Sequence, residues 1–461
     1  MTIEATWLSS FWLRLRHLSM YWPARWQAIV AFVLVGQLLF GEANAQVRLP
    51  NIQVPQLPPI QLPIDPTGTV NTAAGQLDPS RLRDLRRLRV QELLRANRRE
   101  LEADPSGAPI VRSEIAVYAP TETTLQMARS AGYDVIRETT LTGLDARIVI
   151  LSPRRGQSTR AALRQLRSLD RGGSFDYNHV YIESGVVTSS PVTMLATTLQ
   201  TDAAQSVRTK IGLIDTGIAD VQPIFQDAQV TKFGCVKPAP AAHGTAVASL
   251  MVGHSAIFSG AAPNAMLFAA DVYCGEPTGG SIEKIAAAFS WLNANRVAVI
   301  NVSLVGPNNS LLERIVATML ARGHVIVAAV GNDGPSAPAL YPAAYPGVIG
   351  VTGVDAKRHV LVEAGRGKHV HFAAPGMDMG AAGMNGDYVA VRGTSFAAPI
   401  VAGLLAGRLT DPDVENARGV LAEFDHEAID LGSRGVDNVY GHGLLGEHVR
   451  VEPGRLAARK N

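Results

Sequence analysis

The chain has 461 residues, 47% of them hydrophobic, with 43 glycines and a formal net charge of +2. That length exceeds one average domain, and the apolar fraction suits a globular protein with a sizeable core. The near-neutral balance excludes a strong overall electrostatic preference for nucleic acid.

At the N-terminus, Arg14, Arg16 and Arg25 precede an apolar run from Ala28 to Phe40, and Ala43-Asn44-Ala45 supplies a small-x-small pattern. The run is short for a membrane span, and its flanks predict a secretory signal over 1–45, cut after Ala45. An uncleaved anchor is the alternative. No later stretch is long and apolar enough to span a bilayer. Residues 46–77 are proline-rich with repeated Leu-Pro steps, as in an extended polyproline linker. Asp78-Pro79 then reads as an N-cap followed by proline at the first helical position, opening an arginine-rich helix within 78–105. Two readings of that helix stay open. One is a solvated face with acidic partners, and the other is a contact with an acidic membrane surface or another protein.

Residues 110–184 predict a separate small α+β unit. Ile115–Tyr118, Tyr133–Thr139, Leu144–Leu151 and Phe175–Ile182 are strand-like. Thr121 and Ser158 are positioned to cap helices reaching Ala131 and Leu169, with Leu163, Leu166 and Leu169 on one face. The order β-α-β-β-α-β is that of a ferredoxin-like split fold. A linker at 185–206 follows.

From 207 to 461 strands and helices alternate. Lys210–Ile214, Met266–Tyr273, Val297–Leu304, Val325–Val330 and Val348–Val354 predict strands, with helices at Ser281–Asn293 and Ser310–Ala321. Such alternation predicts an α/β fold with a doubly wound parallel sheet covered on both faces. Asp215 ends the first of these strands, where open α/β sheets place their sites. His243 opens an apolar helix, Ala246–Val252, and Ser395 precedes another apolar run, Phe396–Leu405. Each of the three stands beside a glycine and a threonine. Cys235 and Cys274, the two cysteines of the chain, predict one disulfide if the chain is exported; two separate thiols are the alternative. Their spacing does not fit a zinc knuckle.

An aspartate, a histidine and a serine at element ends carry a coherent chemistry. A serine hydroxyl attacks poorly until a base takes its proton. Histidine titrates near neutrality and returns that proton to a leaving amine. A carboxylate fixes the imidazole tautomer and stabilises the imidazolium. A helix N-terminus at the serine offers N–H groups to a developing oxyanion.

Ile214-Asp215-Thr216-Gly217, His243-Gly244-Thr245-Ala246-Val247-Ala248 and Gly393-Thr394-Ser395-Phe396-Ala397-Ala398-Pro399 together resemble the signatures of the subtilisin-like serine peptidases (subtilases). Gly260-Ala261-Ala262-Pro263 and the closing stretch from Asp430 to Leu444 add to the resemblance. It implies a serine endopeptidase with Asp215, His243 and Ser395 as catalytic residues and Asn332 as oxyanion donor. It also implies that 110–184 is an inhibitory propeptide, a partner domain of the same chain, whose tail from Glu183 to Ser190 lies across the catalytic cleft as a product-like peptide, with a processing site in 185–206. Ser303, Leu304, Val305 and Gly306 match the edge that pairs with a polypeptide substrate, and Ala328 to Gly331 the opposite wall. Valine stands at 305 where glycine is common in the family, a change that narrows the pocket. Asp333 at the pocket floor would favour a basic side chain. No organic cofactor is implied. Calcium is left open, because Asp220, Asp227, Asp355 and Asp378 are scattered loop acids without a dense ligand loop. Other readings are a catalytically silent peptide-binding module of the same fold, an accessory role for 110–184, and another acyl hydrolase. Against the last stand the Asp-His-Ser order and the absence of a Gly-x-Ser-x-Gly elbow.

Overall fold

The computed structural model describes residues 79–187 and 209–453, which fall within one compact unit, Thr69–Asn461. The signal segment, the proline-rich linker and most of 185–206 lie outside the described residues. Helix α1 spans Pro79–Ala96, within the expected 78–105, and the short strand β1, Leu101–Ala103, follows it. Leu93 and Leu94 of α1 pack against Leu101, Val111 and Val180.

The small unit follows as β2 (Pro109–Tyr118), α2 (Glu122–Ser130), β3 (Asp134–Leu141), β4 (Ala146–Ser152), α3 (Thr159–Leu169) and β5 (Ser174–His179). Thr121 and Ser158 cap the two helices, accepting from the N–H groups of Thr124 and Ala161. The strands lie in the order β5-β2-β4-β3, every pair antiparallel, which is the ferredoxin-like arrangement. Leu163 and Leu166 are buried beneath the sheet, whereas Leu169, expected on the same face, is 45% exposed because it ends the helix.

Two short strands come next, β6 (Ile182–Glu183) and β7 (Val186–Val187). The larger part contains β8 (Lys210–Asp215), β9 (Val230–Phe233), α4 (Ala242–Val252), β10 (His254–Ser255), β11 (Phe258–Ser259) and β12 (Met266–Asp271). It continues with α5 (Ile282–Ala294), β13 (Val299–Val302), β14 (Leu304–Val305), α6 (Ser310–Ala321), β15 (Val325–Ala329), β16 (Ile349–Val354) and β17 (Val370–Pro375). The last elements that matter here are β18 (Met379–Ala382), β19 (Tyr388–Arg392), α7 (Thr394–Ala406) and α8 (Val414–Glu427).

Seven parallel strands form the central sheet in the order β17-β16-β15-β13-β8-β12-β9. Alternate side chains point to opposite faces. Ile211 and Leu213 of β8 join the apolar cluster holding α4 and α7, and Ile214 joins the one holding α5 and α6. Helix α7 has no polar face and is buried almost throughout, as befits a helix under two layers. The expected strand over Val297–Leu304 divides at Ser303. Its first part stays in the sheet as β13, while β14 leaves it and pairs with β6.

The small unit meets the ends of α5 and α6. Ser310, opening α6, donates N–H and Oγ–H to Asp176 at 2.8 Å each, which places a carboxylate at a helix N-terminus. Arg137 bridges Glu114 of β2 and Glu283 in the first turn of α5, at 2.6 and 2.9 Å.

Cys235 and Cys274 form a disulfide with Cα atoms 5.5 Å apart and a sequence separation of 39. In the chain-entropy account a loop of that size stabilises the fold by about 3–4 kcal/mol. In an inactive Ser395→Ala background, the further change Cys235→Ser with Cys274→Ser should lower the denaturant unfolding free energy by about that amount. An unchanged midpoint and slope would show that the crosslink does not constrain the unfolded chain.

Candidate active site

Parallel strands deliver their carboxyl ends to one edge of the sheet. Asp215 is the last residue of β8 and is fully buried. Its Oδ1 accepts from the Thr216 N–H at 2.7 Å and lies 2.8 Å from His243 Nδ1. With a carboxylate there, Nδ1 carries the proton. His243 does not open its helix as expected. Ala242 is the first residue of α4, so the imidazole sits inside the first turn and is only 3% exposed. Its Nε2 lies 3.1 Å from Ser395 Oγ, and its ring rests beside that of Phe396 at 5.2 Å. In the neutral imidazole Nε2 is then the acceptor facing the hydroxyl.

Ser395 is the second residue of α7, behind an N-cap glycine at φ +138. A Cβ at Gly393 would come within 2.9 Å of Gly185 Cα and 3.0 Å of Asn332 Nδ2, so the close approach of both requires glycine. Asn332 follows β15 through Gly331, whose φ is +95. The Thr394 N–H donates to Asn332 Oδ1 at 3.1 Å, which turns the amide so that Nδ2 faces the cleft.

The three threonines fasten these pieces. Thr216 Oγ1 accepts from the Gly244 N–H at 2.9 Å and joins β8 to α4. Thr245 Oγ1 accepts from the Ala219 N–H at 3.0 Å, and Thr394 Oγ1 from the Gly331 N–H at 3.1 Å. A serine lower in the stack does the same, as Ser303 Oγ donates to the Ser395 carbonyl at 2.9 Å and accepts from Asn301.

The chain's own segment 182–187 runs through this constellation. β6 pairs antiparallel with β14, Glu183 opposite Leu304 and Ile182 opposite Val305. β7 pairs antiparallel with β19, Val186 opposite Arg392 and Val187 opposite Val391. Between these two anchors, Ser184 Oγ accepts from Asn332 Nδ2 at 2.8 Å. Gly185 has φ +145, and a Cβ there would lie 2.3 Å from Ser395 Oγ. Gly185 thus lies beside the serine hydroxyl, with Ser184 before it on the Asn332 amide.

The other expected contact residues are distributed around this segment. A Cβ at Gly306 would come 2.6 Å from the Tyr181 ring, so the glycine admits the root of the segment. Ala328 is buried in the same apolar cluster as Tyr181 and Leu304. Gly331 would meet Leu340 at 2.5 Å if it carried a Cβ. Asp333 forms an ion pair with Arg86 of α1 at 3.2 Å. Glu183, Ser184 and Gly185 fall in the tail expected to lie across the cleft, though no one of them is given a role by type or spacing; Arg86 has no signal, and the pairing of Thr with Gly at each corner is the one available for Thr394.

Charge around the imidazole is unusual. Burial draws the His243 pKa down, but Asp215, then Glu183 and the Ser184 backbone, more than offset this and push it up to about 9. Glu183 is itself raised, chiefly by burial, with His243 and Arg89 pulling it back. Among the described residues two groups of three side chains bring potential metal ligands within 4.8 Å. In one, both thiols are taken by the disulfide. In the other, Asp425 Oδ1 lies 3.2 Å from His371 Nε2 and 3.4 Å from His442 Nδ1, distances met by ordinary hydrogen bonds.

Residues 207–443 match the model of the Subtilase family. The minor extracellular protease Epr of Bacillus subtilis (strain 168) is 31% identical over 242 residues, 51% of this chain and 37% of that protein. Subtilisin DY of Bacillus licheniformis is 31% identical over 257 residues, 54% of this chain and 92% of that protein. The chain thus spans little more than a third of the first and nearly all of the second. The crystal structure of fervidolysin from Fervidobacterium pennivorans, described as a keratinolytic enzyme related to subtilisin, superposes with a TM-score of 0.60 at 18% identity. It covers 76% of this chain and 62% of that one, and it supports the fold alone.

Removing the second carboxylate should be visible directly. In the Ser395→Ala chain, Glu183→Gln should lower the His243 pKa, because a negative charge favouring the imidazolium is gone. NMR titration of the imidazole measures this, and an unmoved or rising midpoint would rule out the Glu183 contribution.

Proposed function

The chain belongs to the subtilase family and is a subtilisin-like serine peptidase, and from that premise we propose an exported endopeptidase made as a self-inhibited precursor. Asp215, His243 and Ser395 are its triad, and Asn332 with the Ser395 N–H is its oxyanion site. The observation that carries this is the continuous path from Asp215 Oδ1 to His243 Nδ1 at 2.8 Å and from Nε2 to Ser395 Oγ at 3.1 Å. Export is favoured by the signal-like N-terminus, the disulfide and the relative described as extracellular.

The chemistry proceeds in two balanced halves. Ser395 Oγ adds to the carbonyl carbon of the bond to be cut as its proton passes to His243 Nε2. The carbonyl oxygen becomes an oxyanion facing the Asn332 amide and the helix N-terminus. The intermediate collapses, and His243 returns the proton to the departing amine, leaving an acyl ester on Ser395. Water then adds, its proton taken by His243; the ester breaks as His243 returns that proton to Ser395 Oγ, restoring the serine and releasing an acid that ionises to the carboxylate in water. Asp215 stabilises the imidazolium in both halves.

The precursor reading has its own support. Segment 182–187 is paired on both flanks like a bound peptide, the β-augmentation a peptidase uses for substrate. The first bond cut would be Ser184–Gly185. Before that, the Ser184 hydroxyl occupies the Asn332 amide, which must be handed to the carbonyl oxygen for reaction. The unit over 110–184 would then remain as a bound product until it dissociates.

Intact mass and N-terminal sequencing provide the test. The matured chain should begin at Gly185, and Ser395→Ala should keep the bond intact in the same host. Maturation of Ser395→Ala to wild-type size would reject self-processing, and failure of Ser395 to react with a fluorophosphonate would reject the triad. Loss of one oxyanion donor costs a subtilisin about 2.7–4 kcal/mol. Asn332→Ala should accordingly lower kcat of the matured enzyme about a hundredfold or more, with KM changing far less. Near-normal turnover in steady-state kinetics would remove Asn332 from the mechanism.

A further inference from the structure

Outside the triad, three side chains from separate segments meet at one edge of the central sheet. His371 comes from β17, Asp425 from the last turn of α8, and His442 from the closing loop. Asp425 Oδ1 lies 3.2 Å from His371 Nε2 and 3.4 Å from His442 Nδ1, and the three atoms all fall within 4.8 Å of one another. The two imidazoles stack, with centroids 4.7 Å apart and planes 23° from parallel. Hydrogen bonds account for these distances, but not for what the backbone does to bring the side chains together.

β17 is the last strand of the sheet, and its pairing with β16 is irregular at this point. Gly350 faces Val370 and Val351 faces Phe372, so His371 is an extra residue, a bulge. Bulges at sheet edges re-aim a side chain. Before His442 stands Gly441, at φ +63, where a Cβ would come 2.1 Å from the His371 carbonyl oxygen. Glycine permits that approach, and the His442 N–H donates to the same oxygen at 2.8 Å. Asp425 lies at the carboxyl end of α8, where the helix dipole favours a cation.

The donor set selects the kind of cation. Two imidazoles and one carboxylate suit zinc and its transition-metal neighbours, whereas calcium and magnesium take oxygen ligands. Tetrahedral zinc holds such ligands at about 2.0–2.2 Å, which separates neighbouring ligand atoms by about 3.3–3.6 Å. The two Asp–His edges are already near that spacing. The side chains of His371, Asp425 and His442 are 31%, 29% and 25% exposed, so an ion can enter and water can fill a fourth position.

We propose that His371, Asp425 and His442 form a binding site for a divalent transition-metal ion of the zinc class, which pins α8 and the closing loop to the sheet edge. In each neutral ring the metal takes the nitrogen facing Asp425, and the ring proton moves to the other nitrogen. The site stands apart from the peptidase reading but is coupled to it through the backbone. β17 leads into Gly376, whose carbonyl accepts from the N–H of Gly393, the N-cap of α7. The ion therefore braces the strand that meets the start of the serine-bearing helix.

The test uses the full Ser395→Ala chain with its disulfide intact, so that neither self-digestion nor the thiols of Cys235 and Cys274 intervene. Co2+ alone is the first probe, because a tetrahedral site gives it visible absorption bands that the aqueous ion lacks. One Co2+ per chain should bind and be displaced by Zn2+. Asp425→Asn, which keeps the side-chain shape, and His442→Ala should each weaken binding about tenfold or more. His359→Ala should leave it unchanged, since His359 pairs with Asp355 at 3.3 Å outside any three-ligand group among the described residues. Zn2+ at about a hundredfold excess over its Kd should raise the denaturant midpoint of the parent chain but not of Asp425→Asn. Failure to bind Co2+ saturably, bands that survive both Asp425→Asn and His442→Ala, or bands lost with His359→Ala would overturn the proposal.

Discussion

The parallel direction of the central strands governs everything at the cleft. Because β8 and β15 run the same way, Asp215 and the loop carrying Asn332 emerge at one edge. Helices α4 and α7 begin at that same edge, α4 carrying His243 in its first turn and α7 carrying Ser395 as its second residue. Their first-turn N–H groups, those of Gly244 and Thr394 already taken by Thr216 Oγ1 and Asn332 Oδ1, gather where the acid, the imidazole and the hydroxyl meet. The threonines at 216, 245 and 394 then lock strand ends to helix starts through N–H to Oγ1 bonds of 2.9 to 3.1 Å. Small shifts of any one element would be felt by all three functional groups.

Segment 182–187 lies in the cleft in a substrate-like but not reaction-ready arrangement. It is paired on both sides, yet the amide of Asn332 is engaged by a hydroxyl and not by the carbonyl oxygen. Glu183 adds a second carboxylate near His243, favouring the protonated imidazole, which cannot accept the Ser395 proton. In the proposed maturation, departure of the segment removes both restraints. The Asn332 contact and the charge beside His243 are thus carried by neighbouring residues, Ser184 and Glu183.

Much of this was legible in the sequence because the signals are local. The apolar runs at 210–214, 325–330 and 348–354 are strands, and the caps at Thr121 and Ser158 are caps. The parts that were missed lack such signals. β9 and β17 are sheet edges, and their runs are broken by Thr231 and Lys232 in one and His371 in the other. α8 buries only Ala417, Val420 and Phe424 among charged neighbours, too weak a stripe to announce a helix. His243 sits one residue inside α4 because Ala241, an N-cap without a side-chain bond, gives no start signal. Arg86 meets Asp333 across nearly 250 positions, a contact that no spacing rule reaches.

The crosslink between positions 235 and 274 encloses α4 and, with it, His243. A peptidase works in a crowd of identical molecules, each able to nick its neighbours. A single break anywhere inside that ring leaves both new ends tethered, so the helix bearing the base cannot diffuse away. Wear at the surface near this ring is thereby uncoupled from loss of the machinery inside it.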